Sequence, residues 1–326
     1  MRLKCYAKIN LGLRVIGLRP DRYHELRTIF QTVSLFDTLE VWRERGPSRI
    51  VLQCNIGEIA DSMNLASRAA TDMAAHLKLS GTIHLRLRKR IPMGAGLGGG
   101  SSDAAAALRA VAKLAGRTPH PARLLSMAAK LGADVPFFLL GGTALGLGRG
   151  TEVYALKDVS RQWMVLLYPP VHVNTAQAYA ALDAKPDAPP AAPQRKENNK
   201  ASAGKRVLPL TESPETDKIY SFCASRLVET DNGQRNRVWD WQRDRLDWRN
   251  DFEPVVFETY PQIARLKKQL IRSGASPALL SGSGSAVFGL CESRRKAQQA
   301  GREMAARFPE CRVWVLRTVN GRESLA

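Results

Sequence analysis

A glycine-rich segment over residues 91–103 holds the residues whose types and spacing are best suited to chemistry. It reads Ile91-Pro92-Met93-Gly94-Ala95-Gly96-Leu97-Gly98-Gly99-Gly100-Ser101-Ser102-Asp103 and lies between a strand-like run and an alanine-rich helical pattern. In such a loop, backbone N–H groups can converge on an anion at a helix N-terminus, where the helix dipole adds about half a positive charge. The segment therefore predicts a phosphate-binding loop.

Other interpretations of this loop compete with that one. Gly94, Gly96 and Gly99 match the dinucleotide-binding fingerprint, but no Asp or Glu lies between Asp103 and Asp134 to bind a ribose about 20 residues on. A Walker A loop is excluded, because the chain contains neither Gly-Lys-Ser nor Gly-Lys-Thr. A tightly turned or flexible loop without a ligand remains the structural alternative.

The N-terminal segment places two further polar residues on one face. Apolar residues occupy the odd positions from Cys5 to Val15, while Lys8, Asn10 and Arg14 alternate with them. This period of two predicts a half-buried strand, so Lys8 and Asn10 share its polar face. A solvated lysine is the ordinary interpretation of such a position.

The elements that must position these residues alternate without a regular βαβ repeat, which predicts an α+β protein. Strands are predicted at residues 29–35, 39–42, 50–52, 83–87, 164–168 and 313–319, with a strand-loop-strand over 280–290. Helices are predicted at residues 64–77, 102–115, 123–131, 263–271 and 294–307. Gly116 and Gly132 follow two of these helices, as expected for C-caps. The two halves meet near residue 155, which predicts domains at residues 1–155 and 156–326.

A proline-rich stretch interrupts the second domain. Residues 184–218 contain six of the 18 prolines of the chain. Such a composition predicts a disordered or extended insertion, which we place at about residues 184–235.

Composition and charge exclude some classes of protein and leave others open. The 326 residues carry 49 Lys and Arg against 30 Asp and Glu, a net charge of +19, and 44% are hydrophobic. These values are typical of a globular protein rather than a collagen-like or disordered one, and the charge predicts anionic partners. The five cysteines form no CxxC pair, so we expect a cytoplasmic protein without a disulfide framework. No signal peptide or membrane span is predicted.

The string from Pro92 to Ala105, Pro-x-x-x-Gly-Leu-Gly-Gly-Gly-Ser-Ser-Asp-Ala-Ala, resembles the phosphate loop of the GHMP kinases. These are small-molecule kinases named for galactose, homoserine, mevalonate and phosphomevalonate. The resemblance implies a two-domain fold, with an N-terminal domain like ribosomal protein S5 domain 2 and a C-terminal α/β-sandwich domain.

Four further stretches resemble one branch of these kinases. They are Ala7-Lys8-Ile9-Asn10-Leu11, Tyr23-His24-Glu25-Leu26, Leu131-Gly132-Ala133-Asp134-Val135-Pro136-Phe137-Phe138 and Ser281-Gly282-Ser283-Gly284-Ser285. This resemblance covers residues 5–183 and 250–320. It implies ATP-dependent phosphorylation of the 2-hydroxyl of 4-diphosphocytidyl-2-C-methyl-D-erythritol, in the non-mevalonate isoprenoid pathway. A sister kinase acting on homoserine or a mevalonate-type alcohol is the nearest alternative.

The resemblance also implies roles for individual residues. Asp134 would be the general base that accepts the hydroxyl proton, and Lys8 would stabilise the developing charge beside it. From its neighbours alone, Asp134 also fits a helix N-cap, since it follows Gly132 and precedes Pro136. The residues implied to bind ATP are Pro92, Met93, Gly94, Ala95, Gly96, Leu97, Gly98, Gly99, Gly100, Ser101, Ser102 and Asn64, the last of which also fits a helix N-cap. The residues implied to bind the acceptor are Asn10, Tyr23, His24 and Thr175.

Tyr23 and His24 are implied to recognise a cytosine base by ring stacking and by contact with the base edge. A packed aromatic residue and a surface histidine near a turn are the alternative. The related kinases usually have Asp-Gly-Tyr-His where this chain has Asp21-Arg22-Tyr23-His24. If that glycine adopts a positive φ, Arg22 adds about 1 kcal/mol of strain or shifts the loop.

The remaining expectations concern the second glycine cluster, metals and partners. The Gly282-Ser283-Gly284 cluster fits either a tight hairpin turn or a close approach of backbone to the phosphate loop. The five histidines have no paired-ligand spacing, so we expect no protein-built metal site and no tightly bound cofactor. Mg²⁺ would arrive with ATP as a co-substrate, with Ser102 as a candidate contact. We expect small-molecule substrates, no membrane, and a monomer or homodimer.

Nucleic-acid binding is the alternative from another class of function. It is suggested by the net charge, by the run Arg86-Leu87-Arg88-Lys89-Arg90, and by Trp239, Trp241 and Trp248 interleaved with arginines. A solvated strand edge and a tryptophan-rich packing cluster explain the same residues, and we therefore expect no nucleic-acid partner.

Overall fold

The computed structural model describes residues 1–56, 64–185 and 248–326. Within them the chain forms a six-stranded sheet and a four-stranded sheet. Most of the predicted insertion, together with Trp239 and Trp241, lies outside the described residues. Among the helices in these ranges, none has both the length and the hydrophobicity needed to cross a bilayer.

The first sheet is organised around one long strand. Its strands are β1 (Arg2–Leu18), β2 (His24–Glu44), β3 (Arg49–Cys54), β4 (Thr82–Arg88), β5 (Thr143–Gly148) and β6 (Glu152–Ala155). One edge of β2 pairs antiparallel with β1 along its length, and its other edge pairs with β5 and then with β4. β3 and β4 are parallel because helix α1 (Leu65–His76) provides the crossover between them.

The two strands predicted at 29–35 and 39–42 are one continuous strand, which corrects the sequence-based expectation. The polar residue between them, Asp37, is fully buried within β2 rather than exposed in a turn. Its charge is balanced by the ammonium group of Lys89, so the strand continues through it. Sequence patterning cannot distinguish such a buried, paired carboxylate from a turn residue.

Helices cover one face of the first sheet. After α1 come α2 (Gly99–Leu114), α3 (Pro121–Leu131) and α4 (Val135–Leu140). Their apolar residues share a core with residues of β2 and β4, including Leu39, Val41 and Leu85. Gly116 follows α2 with a φ of 63°, which confirms the predicted left-handed C-cap. Gly132 also ends its helix, but with an extended φ of 171°.

The second sheet is antiparallel, and its strands lie side by side in the order Arg312–Arg317, Trp163–Tyr168, Val287–Cys291 and Ala278–Leu280. Its strands are β7 (Trp163–Tyr168), β8 (Ala278–Leu280), β9 (Val287–Cys291) and β10 (Arg312–Arg317). The remaining helices are α5 (Thr175–Asp183), α6 (Glu253–Thr259), α7 (Pro261–Arg272), α8 (Arg294–Arg307) and α9 (Gly321–Leu325). The core between this sheet and its helices includes Val165, Ile263 and Met304.

The two sheets share a third core. Ala7, Ile9 and Leu11 of β1 pack in one cluster with Met164 and Phe288 of the second sheet. These odd-numbered residues are the apolar face that the sequence predicts for β1. The opposite face carries Lys8 and Asn10 towards the helical side of the first sheet, and it is there that the candidate site forms.

Candidate active site

The glycine-rich segment forms a loop that leads directly into α2. Gly94, Gly96 and Gly98 have φ values of 66°, 75° and 68°, a left-handed backbone that glycine adopts without strain. Ala95 and Leu97 lie between them and are buried in the core shared by the two sheets. This alternation anchors the loop in the core at the point where α2 begins, which is the arrangement that the sequence predicts for a phosphate loop.

The second glycine cluster packs against this loop. Ser281 Oγ donates a hydrogen bond to the carbonyl oxygen of Gly96 over 3.0 Å. The backbone N–H of Ala286 donates to the carbonyl oxygen of Ala95 over 3.2 Å. Both interpretations left open for residues 282–284 hold: they form the hairpin turn between β8 and β9, closed by a 2.9 Å hydrogen bond from the Ser281 N–H to the Ala286 carbonyl oxygen, and this turn approaches the loop closely.

Asn250 holds the second glycine cluster in place. Its Nδ2 group donates to the carbonyl oxygens of Leu280 and Gly282, at 2.8 and 2.7 Å. Asn250 is only 2% exposed, so these bonds are shielded from water. No motif in the sequence marks Asn250 as the residue that holds this cluster; it begins the stretch Asn250-Asp251-Phe252-Glu253-Pro254, close to the start of the third described range.

Lys8 is buried beside the loop, which excludes a solvated lysine. Its residue is 4% exposed, and its backbone N–H donates to the carbonyl oxygen of Leu97 over 3.0 Å. Its ammonium group donates to Asn10 Oδ1 over 2.7 Å, and Asn10 Nδ2 in turn donates to Thr28 Oγ1 over 2.7 Å. This chain of hydrogen bonds fixes the position of the Lys8 charge, which has little access to water.

Asp134 lies next to this ammonium group. Its Oδ2 is 3.6 Å from Lys8 Nζ, and 32% of its side chain is exposed. It occupies the N-cap position of α4, but its side chain makes no capping hydrogen bond. The carboxylate is therefore free of the N-cap role that its neighbours in sequence suggest, and it remains open to a substrate.

Tyr23 and His24 lie at a rim formed with α5. The imidazole of His24 stacks on the Tyr179 ring, with centroids 4.4 Å apart, and its Nε2 lies 2.8 Å from Asp183 Oδ1. Tyr23 is 56% exposed and packs against the guanidinium group of Arg149, which lies 4.1 Å from the ring centroid. Burial raises the pKa of the Tyr179 hydroxyl, and the negative charges of Asp134 and Asp183 raise it further. The effect of the Asp134 charge on Tyr179 shows that the rim lies near the Lys8–Asp134 pair.

The loop before Tyr23 contains the departure noted in the sequence. Arg22 has a φ of 63°, the left-handed conformation for which a glycine is suited. The backbone N–H of Tyr23 donates to Asp21 Oδ1 over 3.1 Å, and the Arg19 side chain bridges Asp21 and Glu25. The turn therefore keeps the conformation expected of the glycine-containing loop, at the strain cost expected for an arginine.

Thr175 and Asn64 both lie at the start of a helix, Thr175 at α5 and Asn64 at α1. Thr175 is the first residue of α5, and its Oγ1 lies 2.9 Å from Ser283 Oγ in the second glycine cluster. Asn64 caps α1 by accepting a hydrogen bond from the backbone N–H of Ala66 over 2.9 Å. A methyl group built on Gly100 would lie 3.6 Å from Leu65, so the start of α1 borders the phosphate loop. The nucleotide role of Asn64 stays a prediction beside this cap.

Several residues at the site lack a signal in the sequence. Three separate segments of the chain bring these residues to the site: one contains Arg149, one contains Tyr179 and Asp183, and one contains Ser283. Of the four, only Ser283 belongs to a recognised motif. Tyr179 follows Thr175 by four residues, so the period of an α-helix places both on one face of α5. That spacing is the one signal that could have identified it.

The basic run does not form one exposed surface. Lys89 is 8% exposed and pairs with Asp37 and Asp103, while Arg86 lies over the Trp42 ring with 5.4 Å between its guanidinium carbon and the centroid. No group of three or more His, Cys, Asp or Glu that could hold a metal is present in the part of the chain that the structure describes.

Comparison with protein families gives two matches. The family model described as GHMP kinases N terminal domain matches residues 64–142, and the one described as GHMP kinases C terminal matches residues 237–310. The first spans the phosphate loop and Asp134, and the second includes the glycine cluster at residues 282–284.

Relatives and solved structures extend the likeness over nearly the whole chain. The chain is 46% identical over 292 residues to the 4-diphosphocytidyl-2-C-methyl-D-erythritol kinase of Solibacter usitatus (strain Ellin6076), covering 90% of this chain and 81% of that one. It is 37% identical over 317 residues to the same-named kinase of Desulfitobacterium hafniense (strain Y51), covering 96% and 94%. A crystal structure of 4-(cytidine 5'-diphospho)-2C-methyl-D-erythritol kinase superposes with a TM-score of 0.71 at 31% identity, covering 98% of this chain and all of that one.

Proposed function

This chain belongs to the GHMP kinases, and from that premise we propose that it transfers the γ-phosphoryl group of ATP to the 2-hydroxyl of 4-diphosphocytidyl-2-C-methyl-D-erythritol. The relatives named above, at up to 46% identity, are named as kinases of this acceptor. The observation that carries the proposal is the Lys8–Asp134 pair, 3.6 Å apart and placed beside the phosphate loop. A cation, a carboxylate and an anion site are the groups that phosphoryl transfer to an alcohol requires.

The phosphate loop is proposed to hold the ATP phosphates. Backbone N–H groups of residues 94–100 and the N-terminus of α2 would bind the negative charge. Mg²⁺ is proposed to enter as part of Mg·ATP and to keep phosphate oxygens and water as its ligands, since the described residues offer no acidic cluster for it. Bound in this way, Mg²⁺ neutralises charge on the phosphates during transfer.

Asp134 and Lys8 are proposed to act on the acceptor hydroxyl. As the hydroxyl oxygen forms its bond to the γ-phosphorus, the bond from that phosphorus to the β,γ-bridging oxygen breaks and ADP leaves. The hydroxyl proton passes to the Asp134 carboxylate, and the Lys8 ammonium stabilises the charge on the oxygen and phosphoryl group. Asn10 fixes the Lys8 ammonium through the 2.7 Å hydrogen bond, so that the charge is in place before reaction.

The cytidine group is proposed to bind at the rim. The guanidinium group of Arg149 packs on the Tyr23 ring, but the residue is still 56% exposed and can therefore stack on the base. His24 lies beside it, oriented by Asp183 and by the Tyr179 ring. Tyr179 stacks on His24 and lies within the electrostatic influence of Asp134, which suits an acceptor with a base at one end and a reacting hydroxyl at the other.

Two further properties are part of the proposal. The substrates are small and soluble, and the four described cysteines are all free thiols. We therefore place the reaction in the reducing cytoplasm.

Measurement of ADP release tests the function. Purified protein is supplied with Mg·ATP and, in parallel, with the cytidyl compound, homoserine or mevalonate. We expect turnover with the cytidyl compound alone, because only that acceptor carries a base for Tyr23 and His24. Turnover with another alcohol would assign a sister GHMP kinase, and silence with all three would contradict the proposal.

A further inference from the structure

Three charged residues form a buried cluster beneath the phosphate loop. Lys89 Nζ lies 2.5 Å from Asp37 Oδ2 and 2.6 Å from Asp103 Oδ2. The three side chains are between 0% and 5% exposed. Charged side chains are rarely buried this deeply, because the interior does not replace the water that solvates them. None of the three contributes to the chemistry described above.

The cluster joins the two ends of the loop. Lys89 precedes the loop by two residues, counting from Ile91, and Asp103 is the fifth residue of α2, which follows the loop. The Lys89–Asp103 pair therefore closes a ring around residues 90–102. A methyl group built on Gly99 would lie 3.2 Å from Lys89 Nζ, so the ammonium group packs directly beneath the first residue of α2.

Asp37 fixes this closed loop to the sheet. Its Oδ1 accepts hydrogen bonds from the backbone N–H groups of Arg90 and Ile91, the second over 2.8 Å. Its Oδ2 accepts from Lys89. The Asp37 carboxylate of β2 thus fixes the direction of the chain where it enters the loop. Lys89 also pairs with Asp103 and so links this fixed point to α2.

Partial protonation of the cluster limits the negative charge below the proposed phosphate site. Two ionised carboxylates with one ammonium would place a net negative charge under the bound phosphates. Burial raises the pKa of Asp103 to about 7, with Lys89 opposing the rise and Asp37 adding to it. Near neutral pH the Asp103 carboxyl is therefore protonated part of the time, which reduces the unfavourable charge without breaking the bridge to Lys89.

We propose that Asp37, Lys89 and Asp103 are positioning residues for the nucleotide, which hold the phosphate loop in the conformation that binds Mg·ATP. This inference rests on the proposed kinase function and adds residues that act through the loop rather than on the substrates. Ordering a glycine-rich loop costs conformational entropy. Here the interactions of the cluster offset that cost when the protein folds, so it does not weaken the binding of ATP. The bridge between Lys89 and Asp103 is the part of the cluster on which that closure depends.

The test removes the ion pair between Lys89 and Asp103 and keeps the neutral pair of Lys89 with Asp37. Asp103→Ala removes the link to α2 and leaves Lys89 paired with Asp37. We expect the dissociation constant of Mg·ATP and its KM to rise about 10- to 100-fold, because the loop is no longer held in place. The KM for the alcohol acceptor is expected to stay unchanged, since the rim and the Lys8–Asp134 pair are untouched. A merely structural residue would lower stability without separating the two KM values.

Two further variants sharpen the result. Asp103→Asn keeps an oxygen that accepts from Lys89, and we expect it to bind Mg·ATP nearly as well as the wild type. Lys267→Ala is the matched control, because it breaks the Lys267–Glu253 pair, also 2.6 Å long, between α6 and α7. This control is expected to leave nucleotide binding unchanged.

Mg·ATP binding is measured by titration calorimetry without acceptor, so it does not depend on the acceptor being the right one. A folded Asp103→Ala protein with wild-type affinity would overturn the inference, as would an Asp103→Asn protein that binds as weakly as the alanine variant. A wild-type protein that binds no Mg·ATP would overturn both this inference and the kinase function. If Asp103→Ala does not fold, amide hydrogen exchange of the wild type decides: Arg90 and Ile91, whose N–H groups are bonded to Asp37, should exchange slowly before any Mg·ATP is added, and rapid exchange there in the nucleotide-free protein would refute the proposal.

Discussion

Gly96 of the phosphate loop and Ser281 of the second glycine cluster are in direct backbone contact. A Cβ atom built on Gly96 would lie 1.9 Å from the carbonyl oxygen of Ser281 and 2.9 Å from its carbonyl carbon. Gly96 also has a φ of 75°. The position therefore requires glycine for two independent reasons, and one of them is the close packing of a loop from each domain.

Replacement of Gly96 by alanine tests this contact. We expect Gly96→Ala to push the two loops apart and to raise the KM for ATP at least about tenfold, because displacement of a positioned loop is costly to binding. Gly116→Ala is the matched control, since Gly116 has a similar φ of 63° and nothing within 4 Å of an added Cβ. The control is expected to lose only about 1 kcal/mol of stability from left-handed strain.

Steady-state kinetics and chemical unfolding of both variants give the readout. Equal losses of stability with an unchanged KM for ATP in both proteins would show that the contact between Gly96 and Ser281 does not matter for nucleotide binding.

Asp134→Asn is expected to stay folded and to lose most of the phosphoryl transfer. The substituted amide has nearly the same shape, and the native side chain makes no capping hydrogen bond whose loss would destabilise α4. Loss of a general base typically lowers kcat by about 100- to 10,000-fold. The KM for ATP should change little. Asp72→Asn, at an exposed position on α1, is the control and should retain full activity. Normal turnover in a folded Asp134→Asn protein would remove Asp134 from the mechanism.

Arg22→Gly is expected to stabilise the protein by about 1 kcal/mol, because glycine adopts a positive φ without strain. Lys78, with a φ of 51°, is the one other non-glycine residue with a positive φ in the described ranges, and it follows α1. Lys78→Gly should therefore give a similar gain in the free energy of unfolding. Only the change at Arg22 borders Tyr23, so a change in the KM for the cytidyl acceptor should accompany that variant alone. Stabilisation by Lys78→Gly but not by Arg22→Gly would show that Arg22 has contacts that offset its strain.

Local sequence was sufficient to predict a glycine-rich loop that leads directly into α2, the shared face of Lys8 and Asn10, and the capping role of Asn64. Each of these features depends on residues close together in the chain, where turn chemistry and strand or helix periodicity decide the structure. The family of the chain also follows from such short strings, because each of them retains its spacing.

Features that depend on long-range packing could not be predicted in the same way. The burial of Lys8 depends on Phe30 and Asp134, and the contact of Gly96 with Ser281 joins segments 185 residues apart. In the sequence Lys89 belongs to a basic run and Asp103 ends the glycine-rich segment, while nothing marks Asp37, because the three members of the cluster meet only in the folded protein. No periodicity records which distant charges will be paired.

The pH dependence of stability provides a last prediction, centred on Asp103. The charged and titratable groups that face this carboxyl are Lys89, Asp37 and the thiol of Cys5. Burial raises the pKa of Asp103 to about 7 in the folded protein, whereas an unfolded aspartate has a pKa of about 3.9. The folded state therefore binds this proton more tightly than the unfolded state does.

The sign of the effect follows from proton linkage: the contribution of Asp103 to stability is complete below about pH 4 and is lost as the pH rises through about 7. We expect the free energy of unfolding of the wild type to fall between pH 5 and pH 8 relative to that of Asp103→Asn, whose amide does not titrate. Subtracting the unfolding free energy of the variant from that of the wild type removes the contributions of the other acidic groups. One of these is Glu323, whose pKa is lowered by its hydrogen bond to Arg317 and whose contribution to stability therefore changes with pH in the opposite direction. Denaturant unfolding of both proteins at each pH measures the difference, and a difference that stays constant over this range would show that Asp103 remains ionised beside Lys89.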